Sequence, residues 1–339
     1  MKKFVNALLT GAVFGTLLLP AATVSAQAVK EFKFSYVLTP ETPLGLGAAK
    51  FADIISQKSG GKMKVKLYSG GSLGGDIAMM SSLQGGTVDF TAVNAGLLYG
   101  MVKDYAVLDI PYLFNNEKEA DAVVDGPVGK ALTDQLPAKG LIGLTFWEYG
   151  FRNLSNSKRP VQKLEDLQGL KIRVVQAPIY VDTFNTLGAN AVPIPLPELY
   201  TALEQKSVDG QENPLNVILF NKFYEVNKFV SRTQHIYNPL QLLMSKKTWD
   251  KLSPDEQKII QDAANESKVY ERKIAREQDA KAVEQLRAAG VQFNDVAPQE
   301  LARIKDKAKP VIEKYSTQIT PAIMKQTNET IAKSRGSAK

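Results

Sequence analysis

Arg173 lies within the short run Leu170–Val175, LKIRVV. Strand alternation would put Ile172 and Val174 on one face and Arg173 on the other. An arginine so placed either sits half-exposed or in a structural ion pair, or offers its planar fork to grip a carboxylate bidentately, a task that lysine does less well. Arg152, at the end of Glu148–Arg152 (EYGFR), poses the same choice between a surface-loop residue and a second binding cation. Asn213 ends the run Val208–Asn213 just before Pro214 and brings both a donor and an acceptor, enough to orient a hydroxyl, carbonyl or carboxylate oxygen.

A different chemistry is written in Gly70–Gly74, GGSLG, which matches GxSxG; Asp209 and the only histidine, His235, follow in the order Ser72, Asp209, His235. Three features weigh against a nucleophile elbow. The preceding strand carries Lys62, Lys64 and Lys66, no HGGG-type oxyanion loop is present, and Gly/Ser-rich turns produce the pattern by chance. A lone histidine is more often structural than catalytic. One histidine and no cysteine leave only carboxylates for a metal, and no EF-hand spacing occurs. The glycines lack a following Lys-Ser/Thr, so this is no phosphate loop. No cofactor or metal is expected.

The elements that must hold these residues alternate. Gly169–Pro214 reads as strand, helix, strand, helix, strand, with Pro178 and Pro197 placed to open the helices and Gly188 to close the first. Lys33–Val37, Leu46–Ser56, Lys62–Tyr68, Ile77–Gln84 and Val88–Val93 repeat the alternation nearer the start. Such βαβ units imply a mostly parallel sheet, with ligands beyond the carboxyl ends of the strands. Asp109–Phe114 (DIPYLF) reads as an apolar block ending a strand, followed by helices over Glu117–Val124 and Gly129–Leu136 and a strand over Leu141–Trp147. Leu215–Val226 reads as an aromatic-rich helix. The longest helical signal starts at Ser253, with Pro254 and Glu256 completing a capping box, and stops at Gly290. It is either one helix or two broken near Arg276. A further helix and a polar tail follow Val296.

Composition bounds the rest. Met1–Lys3 is basic, Phe4–Leu19 is mostly apolar, and Val24-Ser25-Ala26 suits signal peptidase, so cleavage is expected after Ala26. Pro20, Thr16 and Asn6 interrupt the roughly 18 apolar residues a membrane span needs. The remaining chain of about 310 residues favours two domains. Removing Lys2 and Lys3 takes the formal net charge from +7 to +5, a mild excess without a basic block, so nucleic acid is not an expected partner.

GLKIRV, LGAN, ELYTALEQ and VDGQENP in the Gly169–Pro214 core resemble the signature blocks of TRAP transporter solute-binding proteins, as do PETPLGLGAAKFADII, LGGD, DIPYLF, FWEYGFRNLSNS and NKFYEVNKFV in the same order. The resemblance covers about residues 32–290. It implies an α/β, two-domain periplasmic binding protein-like (type II-like) fold of mixed, mostly parallel sheets, with one long helix across both domains. The implied domains are 27–149 plus 239–276 and 150–238 plus 277–330, after a 1–26 leader and before a flexible 331–339 tail. It further implies that Arg173 takes a ligand carboxylate, that Arg152 and Asn213 add contacts, that Asp76 lies near the cleft, and that Trp147, Tyr149 and Tyr237 help line it. Sialic-acid binders carry a glutamate where this chain has Asn94 and a basic residue where it has Leu97, which argues against that ligand. The implied ligand is a C4-dicarboxylate or a sugar-acid-like carboxylate. The implied partners are the small and large TRAP membrane subunits, engaged by a monomeric periplasmic receptor. An exported hydrolase using Ser72, Asp209 and His235, and a receptor for a two-component sensor, are the alternatives. Mass spectrometry of the mature protein from a Gram-negative host should find Gln27 first; retention of Met1 would refute export by cleavage.

Overall fold

The computed structural model describes residues 29–336. The expected leader at 1–26 lies outside the described residues. The chain forms two mixed sheets. The first runs β2 (Met63–Tyr68), β1 (Lys30–Ser35), β3 (Phe90–Asn94), β10 (Tyr237–Ser245), β4 (Leu141–Phe151), in that order. The second runs β11 (Gln292–Asp295), β9 (Phe229–Arg232), β5 (Asn153–Asn156), β8 (Gly210–Asn213), β6 (Lys171–Val174), β7 (Asn190–Pro193). β1 pairs in parallel with β2 and β3, and β6 with β7 and β8, as the βαβ alternation requires. The antiparallel members are the strands that pass between sheets: β10 against β3 and β4, and β5 against β8 and β9.

The passage from one sheet to the other is made twice side by side. β4 ends at Phe151 and β5 begins at Asn153, so Arg152 alone joins them; β9 ends at Arg232 and β10 begins at Tyr237. The Arg152 amide donates to the Ile236 carbonyl at 2.8 Å, which ties the two crossings together. The third link is the helix Pro254–Ala288, 35 residues long and so about 52 Å. Its capping box is present as expected, with Ser253 Oγ accepting from the Glu256 amide and Glu256 returning to the Ser253 amide. It is one continuous helix, not two. It packs on the helix Pro43–Lys58 and on β4, and also on the helix Leu215–Phe220 that follows β8. Its buried positions, Ile260, Ala263, Ala264, Ser267, Glu271, Ala275, Ala282 and Leu286, recur at helical spacing. Gly47 makes the close packing possible, because a Cβ there would stand 2.6 Å from Glu271 Cγ. Arg276 is held by Glu148 and Asp121, each at 2.7 Å, and Arg272 by Asp125 at 2.6 Å.

Several expected elements differ. Asp109 ends a 3₁₀ segment, Lys103–Asp109, rather than a strand, since Pro111 and a left-handed Tyr112 (φ 57°) stop extension. The helix after Pro214 stops at Phe220, and Lys222 in the left-handed region starts a separate 3₁₀ turn, Phe223–Glu225. Three helices, not one, follow β11: Pro298–Lys307, Lys309–Ser316 and Pro321–Gly336. The last packs against the helices Glu117–Val124 and Pro127–Thr133. The expected tail from 331 is helical as far as Gly336. Ile331 is 3% exposed, and Arg335 pairs with Glu119 at 2.9 Å.

Val269 sits mid-helix at 69% exposure and contributes little packing. Val269→Pro should therefore lose about 3 kcal/mol through the backbone alone, and Val269→Ala almost none. Urea unfolding of both checks this; equal stability would mean the helix tolerates a break there.

Candidate functional site

Arg152 is fully buried at the crossing of the two strands. An unpaired charge there would be prohibitively costly, and its guanidinium is accordingly paired, with an acceptor at each nitrogen. Nε donates to Glu212 Oε2, Nη2 to Glu212 Oε1 at 2.9 Å and to Asn213 Oδ1 at 3.0 Å, and Nη1 to Asn238 Oδ1 at 3.0 Å. Glu212, on β8, is fully buried as well. Burial alone would raise its pKa, but Arg152 and His235 outweigh that and hold it below the ordinary range. His235 Nε2 lies 3.2 Å from Glu212 Oε2 and Nδ1 lies 2.8 Å from Thr233 Oγ1. The carboxylate can only accept, so Nε2 carries the proton and Nδ1 accepts from Thr233. Burial lowers the His235 pKa against the pull of Glu212, which keeps the ring neutral.

The network continues into the first sheet. Asn238, on β10, donates from Nδ2 to Asp109 Oδ1 and to Tyr180 Oη, both at 2.8 Å. Tyr180, from the helix Pro178–Thr186, donates to Asp109 Oδ1 at 3.0 Å. Asn94 donates to Asn238 and accepts from the Gly96 amide at 2.9 Å. Asn213 donates to Gln211 Oε1, which leaves one of its two amide hydrogens uncommitted.

Arg173 is the contrast. It is 4% exposed, its Nε donates to the Ile194 carbonyl at 2.7 Å, and among the described residues it forms no ion pair. Burial pushes its pKa down to about 10, opposed by Glu212, Tyr149 and Asp76. The terminal nitrogens of this fork have no protein acceptor among the described residues. Asp76, at the first position of the helix Asp76–Gly85, has a buried Oδ1 with no hydrogen-bond partner; burial raises its pKa to about 7 against the pull of Arg173. Tyr149 feels Arg152, Asp76, Arg173 and Glu212 together, so all five groups share one electrostatic neighbourhood.

Two segments close over it. Gly71, with φ +69°, lies so near Pro197 that a Cβ would stand 2.6 Å from its Cγ, and a Cβ on Gly75 would meet Pro195 at 3.4 Å. The glycine-rich loop after β2 thus rests on the segment after β7. Clefts of about 470 Å³ flank this contact, one between Val37, Thr39, Gly70 and Leu196–Tyr200, the other between Ile77 and Gln176–Val181.

The chain matches the bacterial extracellular solute-binding proteins, family 7, over residues 34–318. It is 37% identical over 274 residues to the 2,3-diketo-L-gulonate-binding periplasmic protein YiaO of Escherichia coli (81% of this chain, 84% of that one). It is 32% identical to the C4-dicarboxylate-binding periplasmic protein DctP of Rhodobacter capsulatus (91% and 94%). It superposes with a TM-score of 0.89 and 41% identity on the sugar acid binding protein DctPAm of Advenella mimigardefordensis in complex with galactonate (91% and 99%). The chain belongs to the TRAP solute-binding family. The two-domain α/β fold is that of periplasmic receptors, and this family consists of receptors rather than enzymes.

Within the TRAP receptor frame, Arg173, Arg152, Asn213, Asp76 and Tyr149 come together, and Asn94 joins them through Asn238. Trp147 and Tyr237 do not. Trp147 is a core residue stacked on Phe34 at 6.1 Å. Tyr237 packs edge-on to Phe114 and Phe151 and faces the charges Glu148, Asp121, Arg272 and Arg276 instead. The expectation that Arg152 offers a positive charge is corrected in part, because Glu212 already neutralises it. Ser72 is exposed, Asp209 pairs with Lys158, and both ring nitrogens of His235 are occupied elsewhere, so these three form no triad. Glu212, Asp109, Asn238 and Tyr180 were not read from the sequence; a carboxylate in VDGQENP beside Asn213 was the available signal.

A double-mutant cycle tests the buried pair. Arg152→Met and Glu212→Leu should each cost about 3–5 kcal/mol, since each strands its partner. The double variant should lose well under the sum. Additive losses in urea unfolding would mean the two residues act independently.

Proposed function

We propose that this protein is an exported, monomeric receptor that captures a small hydroxylated carboxylate in the cleft between its domains and delivers it to the small and large subunits of a TRAP transporter. The observation that carries the reading is Arg173. A buried guanidinium without a protein carboxylate needs an anion, and its two terminal nitrogens match a carboxylate bidentately. Arg152 contributes chiefly by holding Asn213, whose remaining amide hydrogen is left for a ligand oxygen, and Tyr149 adds an aromatic wall. Galactonate and diketogulonate, bound by DctPAm and YiaO, are monocarboxylates rich in hydroxyl or keto oxygens, and sugar acids of this class fit one free arginine. The glycine-loop contact with Pro195–Pro197 supports hinge closure over the ligand, as in other periplasmic binders. The family's periplasmic receptors support the same compartment for this chain.

Arg173→Ala should weaken binding by about 2–5 kcal/mol, or roughly 30- to several-thousand-fold, because the ligand carboxylate is left buried without a partner. Arg173→Lys should fall between, keeping charge but not the fork. Ligand-free melting should stay near the parent's. Calorimetry on refolded, ligand-free protein with a panel of sugar acids decides it: if Arg173→Ala binds within about threefold of the parent, the arginine is structural and the site lies elsewhere.

A further inference from the structure

The glycine-rich loop Gly70–Gly75 takes no part in a triad, and the fold gives it a different neighbour. Gly70 and Gly71 both lie in the left-handed region, at φ +66° and +69°. Their amides donate to the Leu38 and Tyr36 carbonyls at 2.9 and 3.0 Å, which pins the loop to the segment after β1. Facing it is a segment of opposite character. Pro193, Pro195 and Pro197 alternate through VPIPLP, residues 192–197, so a ring fixes every second φ. This segment is pinned in turn: Leu196 is buried, and the Ile194 carbonyl, one residue before Pro195, accepts from Arg173 Nε at 2.7 Å. The two meet where a side chain has no room. A Cβ on Gly71 would stand 2.6 Å from Pro197 Cγ and 3.2 Å from Pro197 Cβ, whereas one on Gly75 would make only ordinary contact with Pro195, at 3.4 Å. A proline ring cannot swing aside as a long side chain would. A Cβ on Gly70, by contrast, would meet nothing within 4 Å.

We propose that Gly71 and Pro197 form the stop that ends closure of the cleft, and that this stop sets the length of acid the closed receptor accepts. The inference rests on Arg173 as the carboxylate-binding residue and names the size selection of that same site. Arg173 holds the backbone from which the proline segment starts, so where that segment comes to rest against the loop decides how near the fork lies to the first sheet. With the carboxylate fixed on Arg173, the rest of the ligand must span that distance. The span is set by rigid backbone on both sides, pinned glycine amides on one and prolines on the other. A side chain at position 71 would hold the two segments apart by roughly 1 Å, the shortfall between 2.6 Å and normal carbon–carbon contact. A gap of that size costs a short acid its contacts with the far wall first, because a longer chain still bridges it. Removing the Pro197 ring has the opposite effect, since the segments can then approach further and a short acid is gripped better.

The test is calorimetry with galactonate, a six-carbon acid, and erythronate, a four-carbon one, on refolded, ligand-free protein. Gly71→Ala should weaken both, erythronate by about tenfold or more and galactonate less. Gly70→Ala imposes the same left-handed strain without the clash, so its affinities should stay within about threefold of the parent's. In the Gly71→Ala background, Pro197→Gly should restore binding to the level of Pro197→Gly alone. Pro197→Ala, which removes Cγ but keeps Cβ, should restore less. Pro197→Gly by itself should shift the preference toward erythronate. If Gly71→Ala binds as Gly70→Ala does, or if Pro197→Gly brings no relief, the stop does not exist, while the receptor reading stands. Should Gly71→Ala not fold, Pro197→Gly alone decides, and an unchanged preference between the acids overturns the proposal. Failure of both acids to bind the parent would overturn the hydroxylated-carboxylate reading, and this inference with it.

Discussion

The structure depends on keeping one buried positive charge paired. Arg152 is the single residue between β4 and β5, at the point where the chain leaves one sheet for the other. Its charge lies out of water, and a guanidinium so placed is tolerated only with a carboxylate against it and its other donors filled. Glu212 provides that carboxylate from β8 of the second sheet, and Asn238 from β10 of the first fills another donor. Satisfying one side chain therefore fixes the relative position of both sheets at their junction. His235 and Thr233, from the return crossing, extend the constraint to the second strand. Such a pair adds little net stability over apolar packing, but it admits few alternative geometries.

This constraint gives the two arginines opposite meanings. Both are buried, both sit near strand ends, and both belong to one electrostatic neighbourhood. Arg152 has its counter-ion in the chain, so a ligand gains no free charge from it. Arg173 has none among the described residues. That desolvation has no compensation within the described residues, and a carboxylate ligand could offset it. Across the crossing strands, the long helix is held by a separate set of charges: Arg276 on Glu148 and Asp121, Arg272 on Asp125. Glu148 follows Trp147 and precedes Tyr149 on β4, so the strand carries a core residue, an anchor for the helix and a wall of the cleft in succession.

Much of the architecture was legible because it is local. The capping box at Ser253, the prolines at 178 and 254 and the stop at Gly290 depend on neighbours in sequence, and the βαβ alternation follows from runs of strand and helix length. The motif string between 169 and 214 carried the family, and Arg173 stood out as a charge in an apolar strand. What could not be read depends on distant partners. Whether Arg152 binds a ligand or a glutamate turns on a residue 60 positions later. Trp147 and Tyr237 look like pocket aromatics by type, yet burial against Phe34 and Phe114 assigns them to packing. The helices after Val296 were merged because each buries its apolar face against a different distant element, Lys309–Ser316 on the helix Pro178–Thr186 and Pro321–Gly336 on Glu117–Val124, which no local period reveals.

Asn213 shows how far residue type alone misleads and where it still holds. An asparagine has two donors and an acceptor with two lone pairs, and on the sequence all are free to meet a ligand. In the folded chain Oδ1 takes a hydrogen bond from Arg152 and Nδ2 gives one to Gln211, which itself donates to Ser155 Oγ at 2.7 Å. The amide is therefore locked in one orientation by two buried neighbours, and its Oδ1–Nδ2 assignment is set by the guanidinium, which can only donate. One N–H remains. A side chain that started with three ways to bind is reduced to a single directed donor, and a donor so restricted reports the position of an acceptor, not merely its presence.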